Sequence, residues 1–569
     1  MIRLSRRPLR GAVCALAACL ATFVAGAVQA AVAASADPDG GRVILQTPAG
    51  DLSGVALDGV RAFKGVPYAA PPVGPGRWRP PAPAPRWTGL RDARAFGPAC
   101  VQPTPRVQTI YSADLGRTSE DCLTLNIWTP AHAETAPVIV WIHGGALVAG
   151  SSRETLYDGS RLAAEGVVVV SINYRLGVLG YLAHPALSAE SPDGVSGNYG
   201  LRDQIEALRW VQRNIAAFGG DPRNVTIAGE SAGGLSVMYL MASPPARGLF
   251  AKAIAQSAYM ISTPELKTAR YGMPSAEDAG SRLARTLQAP SPRALRSLDA
   301  QTLTDAAALA GFSPFGAVDG KLLPGQLVDV FDRGDQAPVP ILAGFNSGEV
   351  RSLKILAPPT PSSPADYERT IRQRYGDLAD AFLALYPSSD MGESILATTR
   401  DALYGWTSER LVRSQTGLGR PSFLYYFAHG YPAADAAGLH GFHASELPYM
   451  FGMLTRTPPL WPKVPDTAQE RALSDAMVAY WTAFARDGAP GLAAGVSWPA
   501  YGEARRFMRF DTTPHPAERL LPGMFELHER TMCRRRASGT QPWNWNVGLA
   551  SPSLAAVASA TGGDCGYTP

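Results

Sequence analysis

The stretch NVTIAGESAGGLSVMYLM (residues 224–241) decides how the rest of this chain is read. Its first part, NVTIAGES (224–231), carries β-branched residues and runs into a glycine, as a buried strand does. Its last part, LSVMYLM, continues as a helix. Between them stands Gly229-Glu230-Ser231-Ala232-Gly233, a G-x-S-x-G turn with strand before it and helix after. A serine on so sharp a turn needs small residues on both sides, and its hydroxyl then projects above the sheet at the positive end of a helix. Alone, the pattern could be a plain glycine turn; flanked this way it points to a nucleophile. Asn224-Val225-Thr226 also matches a glycosylation acceptor, but it enters the same buried strand and is set aside.

Working outward, PVIVWIH (137–143) and GVVVVSINY (166–174) are continuously apolar, as strands covered on both faces of a parallel sheet are. VPILAG (339–344) and SFLYYF (422–427) are further strands. In DQIEALRWVQRNIAA (203–217), Ile205, Leu208, Val211 and Ile215 share one helical face. Alternating strands and helices predict an α/β fold with a mostly parallel central sheet flanked by helices. Segments 270–310 and 366–415 read as helical insertions or lid-like layers. From about residue 42, and notably in APPVGPGRWRPPAPAP (70–85), the chain reads as irregular surface structure with short strands.

The 569 residues are 46% hydrophobic and 18% charged, the composition of a globular chain with a large core, and no repeat or composition break divides it. The beginning stands apart. Arg3, Arg6, Arg7 and Arg10 precede an alanine-rich apolar run ending in small residues, the layout of a signal peptide over residues 1–30, with cleavage as late as 36. Ser5-Arg6-Arg7-Pro8-Leu9 resembles a twin-arginine export signal, and Leu16-Ala17-Ala18-Cys19 a lipoprotein box, although the apolar run past Cys19 argues against the latter. An uncleaved anchor is the competing reading. The expectation is a secreted or periplasmic protein: a single domain over 37–548, a low-complexity tail over 549–569, and no bilayer-spanning run after the leader. Four leader arginines account for the excess of 52 basic over 48 acidic residues, so the mature chain is near neutral and carries no nucleic-acid footprint.

Six cysteines are present, and Cys14 and Cys19 lie in the leader. The remaining Cys100, Cys122, Cys533 and Cys565 are an even set in an exported chain; three connectivities are open to them, and proximity favours Cys100 with Cys122 and Cys533 with Cys565. No C-x-x-C pair supports a zinc ribbon or a thioredoxin-type site.

A serine nucleophile needs a base, and the base an orienting acid. On this fold pattern the order is Ser, then Asp or Glu, then His. Of the eight histidines, His429, His440, His443, His515 and His528 follow Ser231. His440 and His443 fall in LHGFHASELPYMFG (439–452); with Glu446 they could also be metal ligands, but a matching third cluster is missing. Glu349 in ILAGFNSGEV (341–350) is the acid candidate that follows a strand, with Asp319 and Asp435 as competitors.

The chain resembles the type-B carboxylesterase and cholinesterase family of α/β-hydrolases. The matching segments are FKGVPYAAPPVGPGRWRPP (63–81), SEDCLTLNIWTP (119–130), VIVWIHGGA (138–146), INYRLGVLGYL (172–182), the run 197–234, GFNSGE (344–349) and HASELPYMFG (443–452), all in the family's order. The resemblance, to members of the bacterial para-nitrobenzyl-esterase kind, implies Ser231 as nucleophile, Glu349 as acid and His443 as base. It implies an oxyanion hole from the main chain of Gly145, Ala146 and Ala232, a Cys100–Cys122 disulfide, and supporting roles for Glu230 and Ser257. His440 becomes an outer residue.

The same resemblance implies a carboxylic ester hydrolase that needs no cofactor or metal and acts on a small-molecule ester. Leu147 stands where the family usually has Phe, and is expected to form part of the substrate-pocket wall. Residues 101–121 hold no Trp, which disfavours a choline ester. The competing functions are a serine amidase on the same residues and a non-catalytic binding or adhesion protein on the same fold.

Overall fold

The structure, a computed structural model, describes residues 41–554. The expected leader and Cys565 lie outside the described residues.

Thirteen strands form one twisted sheet: β1 (Arg42–Thr47), β2 (Gly50–Leu57), β3 (Val60–Pro67), β4 (Leu90–Asp92), β5 (Thr124–Pro130), β6 (Ala136–Ile142), β7 (Val168–Ile172), β8 (Gly220–Glu230), β9 (Lys252–Gln256), β10 (Ile341–Asn346), β11 (Ser422–Phe427), β12 (Arg506–Phe510) and β13 (Pro514–Glu518). Their spatial order is β1-β2-β3-β5-β7-β6-β8-β9-β10-β11-β12-β13, with β4 beside β2. The seven from β7 to β12 in that order run parallel, and the antiparallel pairs are confined to the two ends. The five strands expected from the sequence are all in the parallel block.

The continuous apolar runs are explained by burial on both faces. In β6, Val138, Val140 and Ile142 pack into one core while Ile139 and Trp141 pack into another. The period-two alternation of a strand sends its side chains to opposite faces, so a strand feeding two cores has no polar position to spare.

Helices α1 (Tyr199–Asn214) and α2 (Ala232–Ala242) cover the first face; α5 (Ala468–Asp487) contributes Leu473, Met477, Trp481 and Phe484 to the second. Helix α1 starts four residues before the expected segment, and its last turn continues as a 3-10 turn over Ile215–Phe218. Ile205, Leu208, Val211 and Ile215 are all buried. Beneath the parallel block, Asp203 of α1 takes three hydrogen bonds from Arg175, with both side chains buried.

The insertions are helical as expected. Ala276–Thr286, Pro292–Ser297 and Ala300–Leu309 form one group. The other contains α3 (Met391–Arg400) and α4 (Trp406–Gly417), separated by a π turn over Asp401–Gly405. Cys533 is buried in α6 (Met524–Ser538). Beyond α6, Ser551 is buried and the Leu554 N–H donates to the Arg374 carbonyl at 2.8 Å. Among the described residues, no helix is long and apolar enough to cross a membrane.

Candidate active site

Strand β8 ends at Glu230, and α2 begins at Ala232. Ser231, between them, is held at φ 56° and ψ −120°, a conformation costly for any residue with a Cβ. The glycines answer to crowding by the neighbouring strand. A Cβ on Gly233 would lie 2.0 Å from the Ile142 carbonyl oxygen at the end of β6, and one on Gly229 would lie 2.8 Å from the same atom. The Ser231 N–H donates to the Gln256 carbonyl of β9 at 3.0 Å, which fixes the turn to the sheet.

Glu349 comes from the loop after β10. Its Oε1 accepts from the Asn346 N–H at 2.8 Å and the Ser257 hydroxyl at 2.6 Å, and its Oε2 pairs with His443 Nδ1. Gly348 N–H to the Gly441 carbonyl (2.7 Å) and Asn346 Nδ2 to the Phe442 carbonyl (2.8 Å) tie the acid loop to the histidine loop. The other imidazole nitrogen, Nε2, stands 3.0 Å from Glu230 Oε1, the residue before Ser231, without the alignment of a hydrogen bond. The Ser231 hydroxyl makes no hydrogen bond to any described residue.

The electrostatics are unusual because Glu230, Glu349 and Glu446 are all buried around one imidazole. Burial alone would lower the His443 pKa, but the charges of Glu230 and Glu349 outweigh it and raise it to about 9. Burial pushes the Glu230 carboxyl upward, with His443 pulling it back and Glu446 and Glu349 adding to the push. Glu446 is raised by burial too, although Gln256 Nε2 (2.9 Å) and Asn346 Nδ2 (2.5 Å) donate to it.

In the HGGA turn, Gly145 and Ala146 are exposed, at φ 99° and 56°. A Cβ on Gly145 would lie 2.1 Å from the Ala149 carbonyl oxygen, so only glycine closes this turn. The Gly145 carbonyl accepts from Val148 and Ala149, whereas the N–H groups of Gly145 and Ala146 have no acceptor among the described residues. Ala232 is the first residue of α2, so its N–H has no intrahelical acceptor. Three main-chain donors are thus unspent. Leu147, at φ 60°, is fully buried and packs in the core on the α1 and α2 side of the sheet.

The remaining candidates lie apart. Asp319 Oδ1 accepts the N–H groups of Lys321, Leu322 and Leu323 in a turn, and Asp435 pairs with exposed His440 at 2.8 Å. Cys100 and Cys122 form a disulfide.

Three tyrosines at the site were not singled out in the sequence. Tyr111, in the disulfide loop, donates to the His443 carbonyl at 3.0 Å and lies 2.7 Å from the Ser352 hydroxyl, with its ring edge-on to the imidazole. Tyr404 lies on the π turn with its ring centroid 5.4 Å from that of His443, and Tyr259 packs on Tyr404 at 6.1 Å. Tyr259 stands just past the Gln-Ser pair at the end of β9, the one local signal that could have marked it.

This arrangement can be set beside known proteins. Residues 42–524 match the carboxylesterase family. The fumonisin B1 esterase of Sphingopyxis macrogoltabida is 37% identical over 506 residues, covering 86% of this chain and 90% of that protein. The para-nitrobenzyl esterase of Bacillus subtilis is 35% identical over 473 residues, covering 81% and 93%. Among solved structures, a PNB esterase superposes with a TM-score of 0.74 at 33% identity, covering 85% of this chain and 99% of the other. A Geobacillus stearothermophilus carboxylesterase gives 0.72 at 32% identity, covering 88% and 100%. Strand order, the G-x-S-x-G turn and these likenesses agree: the chain is a carboxylic ester hydrolase of the α/β-hydrolase fold and belongs to the carboxylesterase family.

Proposed function

We propose that the protein is an exported serine carboxylesterase that works through an acyl-enzyme, with Ser231 as nucleophile, His443 as general base and Glu349 as its orienting acid. The observation that carries the reading is the His443 imidazole, fixed through Nδ1 by Glu349 with Nε2 directed to the residue beside Ser231. As Ser231 attacks the ester carbonyl, His443 takes its proton, and Glu349 stabilises the imidazolium that forms. His443 returns the proton to the leaving alcohol; water then repeats the sequence on the acyl-enzyme.

The N–H groups of Gly145, Ala146 and Ala232 receive the oxyanion, an interaction for which one lost donor costs on the order of 10²–10³ in rate. No step needs a metal or cofactor. The similarity to the fumonisin B1 and para-nitrobenzyl esterases supports an ester over an amide, and a small-molecule ester as the substrate class. Export rests on the arginine-led apolar segment at residues 1–30.

The test is hydrolysis of p-nitrophenyl acetate by the purified mature protein with a chelator present, beside the Ser231→Ala variant. Hydrolysis that disappears with the hydroxyl while the melting temperature holds supports the reading. Hydrolysis that survives Ser231→Ala, or that stops with the chelator, overturns it.

A further inference from the structure

A buried phenol normally brings its hydroxyl to a partner, because an unpaired buried hydroxyl is costly. Tyr404 does not. The residue is 2% exposed, and its hydroxyl makes no hydrogen bond to any described residue. Nor is the oxygen sealed in the protein as the hydroxyls of Tyr239 and Tyr425 are. The Tyr404 ring lies 5.4 Å from that of His443 between centroids. Tyr259, half-buried and edge-on to Tyr404, likewise has a hydroxyl without a hydrogen-bond partner among the described residues. Tyr259 stands two residues beyond Ser257, which donates to Glu349.

The backbone that delivers Tyr404 is a second, independent sign. Helices α3 and α4 would run on as one but for the π turn Asp401–Gly405, and π turns are rare and concentrate at functional sites. This turn is held in place. Asp401 takes Arg400 Nε at 2.6 Å and the Tyr386 hydroxyl at 2.9 Å, and Arg400 Nη1 donates to the Ser347 carbonyl, in the loop that carries Glu349, at 3.0 Å. The helix is thus wound out of register at a residue whose ring packs beside the imidazole, and that residue carries an unused donor.

The surroundings say what the donor is for. The leading charged neighbours of Tyr404 are Glu349 and Glu230, and the phenols of Tyr259 and Tyr111 also stand near. Carboxylates there repel an anionic group, while two hydroxyls welcome an uncharged oxygen. Resting on the esterase reading, we propose that Tyr404 and Tyr259 form a specificity wall that donates hydrogen bonds to a neutral oxygen (an ether, hydroxyl or carbonyl) carried by the substrate a few bonds from the scissile ester. The preferred substrates are therefore oxygenated neutral esters rather than plain alkyl esters or half-esters of diacids.

The experiment compares ether-for-methylene pairs on the full mature enzyme. One pair varies the acid, p-nitrophenyl 3-methoxypropanoate against pentanoate; the other varies the alcohol, 2-methoxyethyl against butyl acetate. Each ratio of kcat/KM is divided by the corresponding ratio for hydroxide-catalysed hydrolysis. The corrected preference for the ether in one of the two pairs is expected to be about three- to tenfold, the range of a net neutral hydrogen bond. Tyr404→Phe, which keeps the ring and so the packing, should bring that ratio to within about twofold of unity, and Tyr259→Phe should move it in the same direction.

Mono-p-nitrophenyl succinate should be slower than the pentanoate. Corrected ratios near one in both pairs, a preference that survives both substitutions, or a faster succinate would overturn the proposal while leaving the esterase reading standing. Absence of hydrolysis on every ester would overturn both.

Discussion

The sharpest test of the site's electrostatics is Glu230→Gln, which keeps the shape of the side chain and removes its charge. Glu230 Oε1 lies 3.0 Å from His443 Nε2, so at an effective dielectric of about 20 a full charge there is worth about 5.5 kcal/mol to the imidazolium. At 1.36 kcal/mol per unit, that is a ceiling of about 4 pKa units. The actual shift is smaller, because burial makes Glu230 reluctant to ionise; about 1–2 units is the expected fall.

The direction is set by the role. A general base works only when neutral, so activity falls as pH drops through its pKa. With His443 raised to about 9, the acid limb of the wild-type kcat/KM profile lies well above the ordinary imidazole value. In Glu230→Gln the limb moves to lower pH by about 1–2 units. The plateau at high pH drops at the same time, because the imidazolium formed during proton transfer loses a stabilising neighbour. The assay is kcat/KM on p-nitrophenyl acetate between pH 6 and 10, read at the isosbestic wavelength of p-nitrophenol. A wild-type limb near 6.5, or a limb that stays put in Glu230→Gln, would refute the reasoning.

The other expectations concern the frame around the site. Cys100→Ser opens a loop of sequence separation 22, which the chain-entropy account values at about 3 kcal/mol; denaturant unfolding should show that loss, with KM rising as Tyr111 loosens. Leu147→Phe adds volume to a fully buried position at φ 60°, so stability should fall by about 1–3 kcal/mol; an unchanged melting temperature with altered ester preference would instead place Leu147 on the pocket wall. Asp203→Ala strands the Arg175 guanidinium in the core and should cost roughly 3–5 kcal/mol in unfolding free energy, with residual activity tracking the folded fraction.

Much of the fold is legible in the sequence because its signals are local. Strands buried on two faces have to be apolar or internally paired: β6 is apolar from Val138 to Ile142, and β7 breaks its run only at Ser171, whose hydroxyl donates to the Ser152 carbonyl and accepts from Asn126. The turn at Ser231 has to have glycine on each side, because Ile142 of the adjacent strand leaves no room for a Cβ. The proposed acid and base also stand in loops that leave strands of the parallel block or pack on them. The illegible part depends on geometry that composition does not encode. A π turn has no sequence signature, so Tyr404 reads as one more helical aromatic. Tyr111 reaches His443 across 332 positions of chain, and nothing near it in sequence announces the contact. The burial of Leu147 has the same origin: the HGGA turn locates the residue, but its direction is set by a positive φ that no neighbour predicts.

Those positive φ values share a location. Ala146 and Leu147 come after β6, Ser231 after β8, Ser257 after β9, and Ala444 after His443, each a non-glycine residue in the left-handed region. Such residues cost of order 1–3 kcal/mol and persist only where the surroundings overdetermine them. For all but Ala444 the surroundings are the carboxyl ends of adjacent parallel strands, where open α/β sheets place their ligands. Three of them set groups of the candidate site: the unspent N–H of Ala146, the Ser231 hydroxyl, and the Ser257 hydroxyl that holds Glu349. A glycine at any of them would relax the backbone but add disorder to the very atoms that must stay still. The two-faced core under the sheet supplies the rigidity that keeps them strained, so the apolar strands that revealed the fold are also what make the site possible.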